Sequence, residues 1–171
     1  MLTAALATKL IRQILVDYNN WPGSESDSSL KIARSKTFDD KIVLARDASM
    51  RRTAEKTADP SVTGYKPPVR RITTATLDET FLPLVKQAGS ECEEQFQLVK
   101  ADTANITTLE PLIERVEFLV QLYSAFSQLE DVRVSYVIDG DMTSDPYTGF
   151  FITGTSSDGE TVIAQTLLVQ T

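Results

Sequence analysis

Histidine is absent from this chain of 171 residues, and cysteine occurs once, as Cys92. Without histidine, the chain lacks the commonest general base and the commonest transition-metal ligand, and it cannot form Ser–His or Cys–His nucleophile pairs. A single cysteine excludes a disulfide within the chain and makes a structural zinc site most unusual. The composition therefore argues against an enzyme, and we expect no cofactor.

Long apolar runs are also missing. The chain has no stretch of eighteen apolar residues, which is about the length needed to span a membrane. The first segment, "MLTAALATKLIRQILVDYNN", has Lys9 and Arg12 inside its apolar stretch, which interrupts a secretory signal. Asp17 counts against a mitochondrial presequence. We interpret this segment as an amphipathic helix, and we expect no membrane partner.

Charge is distributed unevenly along the chain, whose net charge is −7. Residues 31–71 hold eleven basic and five acidic side chains, a net charge of +6. Residues 72–171 hold four basic and sixteen acidic side chains, a net charge of −12. Such asymmetry is informative about partners rather than about fold, and it makes the front and back of the chain electrostatically complementary.

Hydrophobic periodicity predicts an α+β fold with three parts. Residues 1–20 form the N-terminal helix, residues 21–68 form a long, partly extended basic arm, and residues 69–171 form an acidic core domain. Within the arm, "SLKIARS" and "KIVLARD" are strand candidates, and the stretch from Arg46 to Pro68 is predicted to be irregular. The core domain is predicted as strand, helix, helix and a three-stranded antiparallel meander.

The boundaries within the core domain follow from capping and turn residues. Both "TLDE", Thr76–Glu79, and "TFLP", Thr80–Pro83, offer a start for the first helix, which extends to Lys100. Thr80 is preferred as the N-cap because it places Pro83 in the first turn. The second helix begins with "TTLE", Thr107–Glu110, which has capping-box spacing. It is apolar over more than half its circumference, so it should be central or bury a face against a partner. The strand before the two helices is predicted at 69–77, and the three strands of the meander are predicted at 132–139, 147–154 and 160–170.

Two acidic patterns could carry chemistry. Asp139, Asp141, Thr143 and Asp145 alternate like the ligands of a calcium loop, but the loop lacks the required glycine and the bidentate glutamate. We interpret it as an acidic, solvated hairpin loop. The glutamates of the two core helices are interpreted as exposed helix faces, since a di-metal site would need histidine partners. Cys92 has the spacing of a small core residue.

The stretch from Arg46 to Arg71 contains few apolar residues, so it cannot offset the entropy of ordering its backbone by itself. We expect contacts with neighbouring copies to order it, through pairing with the acidic part of the next chain. The residues predicted to form this interface are Arg51, Arg52, Lys66, Arg70 and Arg71. Reversing Arg70 and Arg71 to glutamate is expected to abolish assembly and leave the monomer folded.

These observations predict a structural subunit of a larger assembly, of the kind found in a bacteriophage head, neck or tail. Its partners would be further copies of itself and other proteins of the particle, and its location the virion, or otherwise the cytoplasm. Two alternatives remain open. The chain could be an adaptor whose basic arm binds an acidic protein or nucleic acid, although the aromatic residues of single-strand binders are nearly absent. It could also be an enzyme or small-ligand protein without a recognisable motif.

Overall fold

The computed structural model describes residues 1–24, 28–140 and 145–169. The elements in chain order are α1 (Ala4–Ile14), β1 (Lys31–Ser35), α2 (Asp40–Ala58), β2 (Arg70–Ala75), α3 (Leu77–Lys100), a 3-10 turn (Ile106–Leu109), α4 (Glu110–Phe126), β3 (Glu130–Asp139), β4 (Tyr147–Thr155) and β5 (Thr161–Val169). This arrangement confirms the predicted α+β class and the order strand, helix, helix and antiparallel meander. Whether the three predicted parts behave as separate units stays a prediction.

The five strands form one antiparallel sheet in the order β1-β5-β4-β3-β2. Successive side chains along a strand point to opposite faces, so each strand supplies two layers. In β4, for example, Phe150 packs in one core and Phe151 in another. The sheet therefore separates two helical layers. Charged segments in the same layer lie on the same side of the sheet.

The larger core lies between the sheet and the helices α1, α3 and α4. Trp21 lies at its centre, with ring centroids 5.3 Å from Phe81 of α3 and 4.5 Å from Phe150 of β4. Phe118 and Phe126 of α4 are also fully buried or nearly so. Aromatic rings at these separations add to the stabilisation that their burial provides.

Helix α2 covers the opposite face of the sheet, over a smaller core of Val43, Val137, Phe151 and Ile163. The prediction of a strand at "KIVLARD" and of irregular structure from Arg46 onward was wrong for residues 40–58. The buried positions of α2 are Val43, Asp47, Ala48 and Arg51, which is helical spacing. Two of the four are charged, so an apolar pattern did not reveal the helix.

Both core helices begin differently from the prediction. The N-cap of α3 is Thr76, not Thr80, and it forms a capping box with Glu79. This box satisfies two free backbone N–H groups at once, which explains the earlier start. Thr107 does not cap α4; Asn105 caps the 3-10 turn, and α4 starts at Glu110 without a side-chain cap. Pro111 lies in the first turn of α4, where its missing N–H costs no helical hydrogen bond. In the described ranges, no helix combines the length and hydropathy needed to cross a bilayer.

Helix α1 is attached at its first turn to the loop between β4 and β5. Asp158 Oδ1 accepts a hydrogen bond from the backbone N–H of Ala4 at 2.9 Å, and Ser157 N donates to Leu2 O at 2.9 Å. Hydrogen bonds from the Ser156 hydroxyl and the Ala4 N–H hold the pKa of Asp158 below its ordinary value of 3.8. A carboxylate at a helix N-terminus is favourable because the first N–H groups there have no helical partner.

We expect acid to release this attachment. Because the folded pKa is depressed, the contribution of Asp158 to stability is present above its unfolded pKa and is lost as pH falls through the folded value. Hydrogen exchange of the Ala4 amide in the folded protein should therefore accelerate below about pH 3.8. In an Asp158→Asn variant this acid-dependent step should be absent, whereas an unchanged step would show that another group controls it.

Candidate interaction surfaces

The predicted interface residue Arg51 lies in the interior, where its guanidinium makes three contacts. Its Nε donates to Asp47 Oδ2 at 2.9 Å, one terminal nitrogen donates to Asp145 Oδ1 at 3.0 Å, and the other donates to the backbone carbonyl of Val137 at 2.9 Å. The Arg51 and Asp47 side chains are both 0% exposed. The guanidinium thus joins helix α2 to strand β3 and to the start of β4.

Arg70 extends this cluster from strand β2. Its Nη1 atom donates to Asp47 Oδ2 at 2.6 Å and to the Leu44 carbonyl at 3.0 Å. Its Nε donates to the Pro68 carbonyl at 3.1 Å. Asp47, Arg51, Arg70 and Asp145 together are called the buried ion cluster below. The cluster was not predicted, although Asp47 and Arg51 have the i, i+4 spacing of a helical ion pair.

The buried ion cluster also holds the segment between α2 and β2. The Tyr65 hydroxyl donates to Asp145, and burial together with that carboxylate raises the pKa of Tyr65 above its ordinary value. The backbone carbonyl of Val69 accepts from Gly140 N at 2.8 Å. Contacts within one chain therefore order this segment, and a neighbouring copy is not needed to explain its order.

Asp47 lies directly against strand β4 at Gly149. A Cβ atom built on Gly149 would stand 2.1 Å from Asp47 Oδ1 and 3.1 Å from Val137 Cβ. Burial raises the pKa of Asp47 above its ordinary value, and the hydrogen bonds and charges of Arg70 and Arg51 oppose that rise. Oδ1 itself has no hydrogen-bond partner. The cluster is thus closely packed and tolerates no additional atoms.

The five predicted interface residues fall into two groups. Arg51 and Arg70 belong to the buried ion cluster, whereas Arg52, Lys66 and Arg71 are exposed. Arg70 and Arg71 are neighbours in β2, so their side chains point to opposite faces of the sheet. Reversing Arg70 would therefore disturb the interior, and the double reversal would not leave the fold intact as expected. Of the five residues, only Arg52, Lys66 and Arg71 are therefore accessible to form an interface.

Half of the net charge of residues 72–171 belongs to the α3–α4 hairpin, which comprises residues 77–126. Nine acidic and three basic side chains give it a net charge of −6. It lies on the face of the sheet opposite α2, whose exposed side chains include Lys41, Arg52 and Lys56. The sheet therefore separates the acidic hairpin from a basic α2 layer, whereas Arg71 points to the hairpin face because Arg70 points to the α2 face.

The free end of the hairpin exposes apolar side chains. Ile106 is 70% exposed, Phe96 51%, Leu98 48% and Ile113 43%. Between α3 and α4 lies an apolar groove of about 430 Å³, whose lining includes Cys92, Phe96, Ile113 and Val116. Glu93 and Glu117 stand on its rim. Contiguous exposed apolar surface with a polar rim is typical of a protein–protein contact.

The acidic loop after β3 is only partly described. Asp141 and Thr143 lie outside the described residues, and Asp139 lies at the end of β3. Asp145 is not solvated as predicted, because its side chain is 7% exposed and binds Arg51. Over the ranges that the structure covers, no cluster of His, Cys, Asp or Glu is suited to hold a metal ion.

Comparison of the sequence with models of known protein families and with curated proteins finds no match. The hairpin groove and the basic layer are therefore interpreted from their own chemistry.

Proposed function

We propose that this chain is a structural subunit of a larger assembly. In this assembly the acidic hairpin of one copy contacts the basic surface of the next, which is formed by exposed cations within residues 31–71. The observation that carries the proposal is the opposite charge of the acidic hairpin and of the exposed cations within residues 31–71, combined with apolar side chains at the free end of the hairpin. A contact between two different surfaces is heterologous, and it produces a ring where the rotation closes.

A particle such as a bacteriophage head, neck or tail is the setting we propose for this subunit, with further structural proteins of the particle as neighbours. Complementary charge favours encounter and register, and the apolar groove supplies area that is removed from water. An adaptor that binds an acidic protein or nucleic acid through the same basic residues is the alternative. The two differ in a simple way, because the adaptor is a monomer until its partner is added.

Charge reversal tests the proposed contact. Replacing Lys66 and Arg71 by glutamate turns attraction to the acidic hairpin into repulsion, and both side chains are exposed. Each exposed pair contributes roughly 0.2–1 kcal/mol, so the loss and reversal of two should weaken self-association about tenfold or more. The association constant can be measured by sedimentation over a range of concentrations at low salt.

A matched control is available on helix α1, where Lys9 and Arg12 are also exposed and their reversal changes the charge by the same amount. This variant should associate like the unmodified chain. Adding Glu93→Lys and Glu117→Lys to the Lys66/Arg71 variant exchanges the charges of both surfaces and should restore association. Equal weakening by the control, or no rescue by the exchange, would refute the proposed pairing.

A further inference from the structure

The rim of the hairpin groove limits what can occupy it. Glu93 and Glu117 border the groove, and Glu94 and Glu114 are exposed nearby on the same two helices. Two hairpins packed groove to groove would bring these carboxylates together, which is unfavourable when they are desolvated. An occupant should therefore present a small apolar group between basic side chains.

The chain itself contains one described segment with this chemistry, namely Lys66-Pro67-Pro68-Val69-Arg70-Arg71. Val69 is 67% exposed, although the segment around it is held by the buried ion cluster. Lys66 and Arg71 are exposed on either side of it. The apolar tip therefore stands in water between two cations.

The two prolines restrict the backbone conformations that this segment can adopt. Each proline fixes its own φ, and a residue before proline is restricted to extended conformations. Extended proline-containing segments bind grooves lined by aromatic side chains, and Phe96 supplies such a ring here. Because the hydrogen bond from Gly140 N to Val69 O further restrains the segment, little entropy is lost on binding.

We propose that Val69 and the two prolines before it insert into the hairpin groove of a second copy of this chain. Lys66 and Arg71 then lie against the acidic rim formed by Glu93 and Glu117. This inference rests on the proposed assembly and specifies its contact. The buried ion cluster supports this contact, because Arg70 holds the segment in the orientation that exposes Val69.

The native Cys92 lines the groove and serves as a probe. One chain keeps Cys92 as its sole cysteine, and a second, size-tagged chain carries Cys92→Ala and Val69→Cys. Under mild oxidation the mixture should give a covalent dimer of one tagged and one untagged chain, since neither chain can form an internal disulfide. The matched control replaces Val16, which is 76% exposed on the segment after α1, by cysteine in the same Cys92→Ala background. The control mixture should give at least tenfold less mixed dimer.

The association of the same chains is measured in parallel, so that the proposed insertion of Val69 and the proposed assembly can be tested separately. Mixed dimers from Val69→Cys but not from Val16→Cys support the insertion. Dimers joined only through Cys92 of two untagged chains would indicate groove-to-groove packing and overturn it. Association without mixed dimers overturns the insertion and leaves the assembly standing, whereas monomers throughout overturn both.

Discussion

Replacing Arg51 by methionine should lower the free energy of unfolding by about 3–5 kcal/mol, the usual consequence of removing one partner from a buried ion pair. Arg51 is 0% exposed and binds two carboxylates and one backbone carbonyl. Methionine approximates the aliphatic part of the side chain, so the loss is mainly that of charge and hydrogen bonds. Asp145 then loses a cationic neighbour although its side chain is only 7% exposed.

The adjacent Arg52 provides the matched control, because it has the same side chain on the exposed side of the same helix. Arg52→Met should change stability by no more than about 0.5 kcal/mol. Both variants can be compared by urea unfolding, followed by far-ultraviolet circular dichroism. If Arg51→Met lowers the free energy of unfolding by less than about 1 kcal/mol, the buried ion cluster does not hold α2 to the sheet as proposed.

A methyl group at Gly149 should be almost as damaging as the loss of Arg51. The new Cβ would lie 2.1 Å from Asp47 Oδ1, a separation that side-chain atoms do not tolerate. Asp47 cannot move freely, because Oδ2 is held by Arg51 at 2.9 Å and Arg70 at 2.6 Å. Overpacking costs about 1–3 kcal/mol, and displacement of the carboxylate adds the disruption of its ion pairs.

Gly89→Ala is the control for this prediction and should have the opposite sign. Gly89 lies within α3, and its added Cβ meets no atom within 4 Å. Alanine there should stabilise the helix by up to about 1 kcal/mol. Combining Gly149→Ala with Asp47→Ala tests the mechanism, since without the carboxylate the methyl group should cost much less than it does alone. Equal costs in both backgrounds would place the clash elsewhere.

The sequence predicts those elements whose apolar residues repeat with a regular period. Strand β1 and the meander β3–β4–β5 were found because their apolar and β-branched residues stand out between turn residues. Helix α2 was missed because its buried stripe contains Asp47 and Arg51, which periodicity treats as exposed. The start of α3 was missed because Thr76 and Thr80 both fit an N-cap. The capping box forms at Thr76, where Thr76 N donates to Glu79 Oε2 and Glu79 N donates to Thr76 Oγ1.

The candidate surfaces were predictable in charge but not in detail. The sequence gives the sign of the net charge of residues 31–71 and of residues 72–171. It does not show which cations form ion pairs inside the folded chain. Arg51 and Arg70 meet Asp47 only after β2 and α2 have packed on the same sheet. The groove between α3 and α4 likewise depends on how the two helices pack. The sequence predicted that α4 is central or buries a face against a partner, and its residues Phe118, Leu119 and Leu122 lie in the larger core, in agreement with the first alternative. Contact of α4 with a partner stays a prediction, and it concerns the free end of the hairpin.

The order of the segment between α2 and β2 no longer requires a neighbouring copy, because the buried ion cluster holds it. Self-association is instead supported by the acidic, apolar hairpin and by the exposed cations within residues 31–71, among them Lys66 and Arg71. These two surfaces are opposite in charge. Head-to-tail contact between copies is therefore the central claim about function.

The most direct test of this claim is the mass of the unmodified chain in solution, measured by sedimentation at low salt and again at about 1 M salt, where exposed charges are screened beyond roughly 3 Å. The claim predicts species larger than one chain at low salt that dissociate as salt is raised. A chain that remains monomeric at every salt and protein concentration would contradict it, and the basic surface would then be assigned to a different partner.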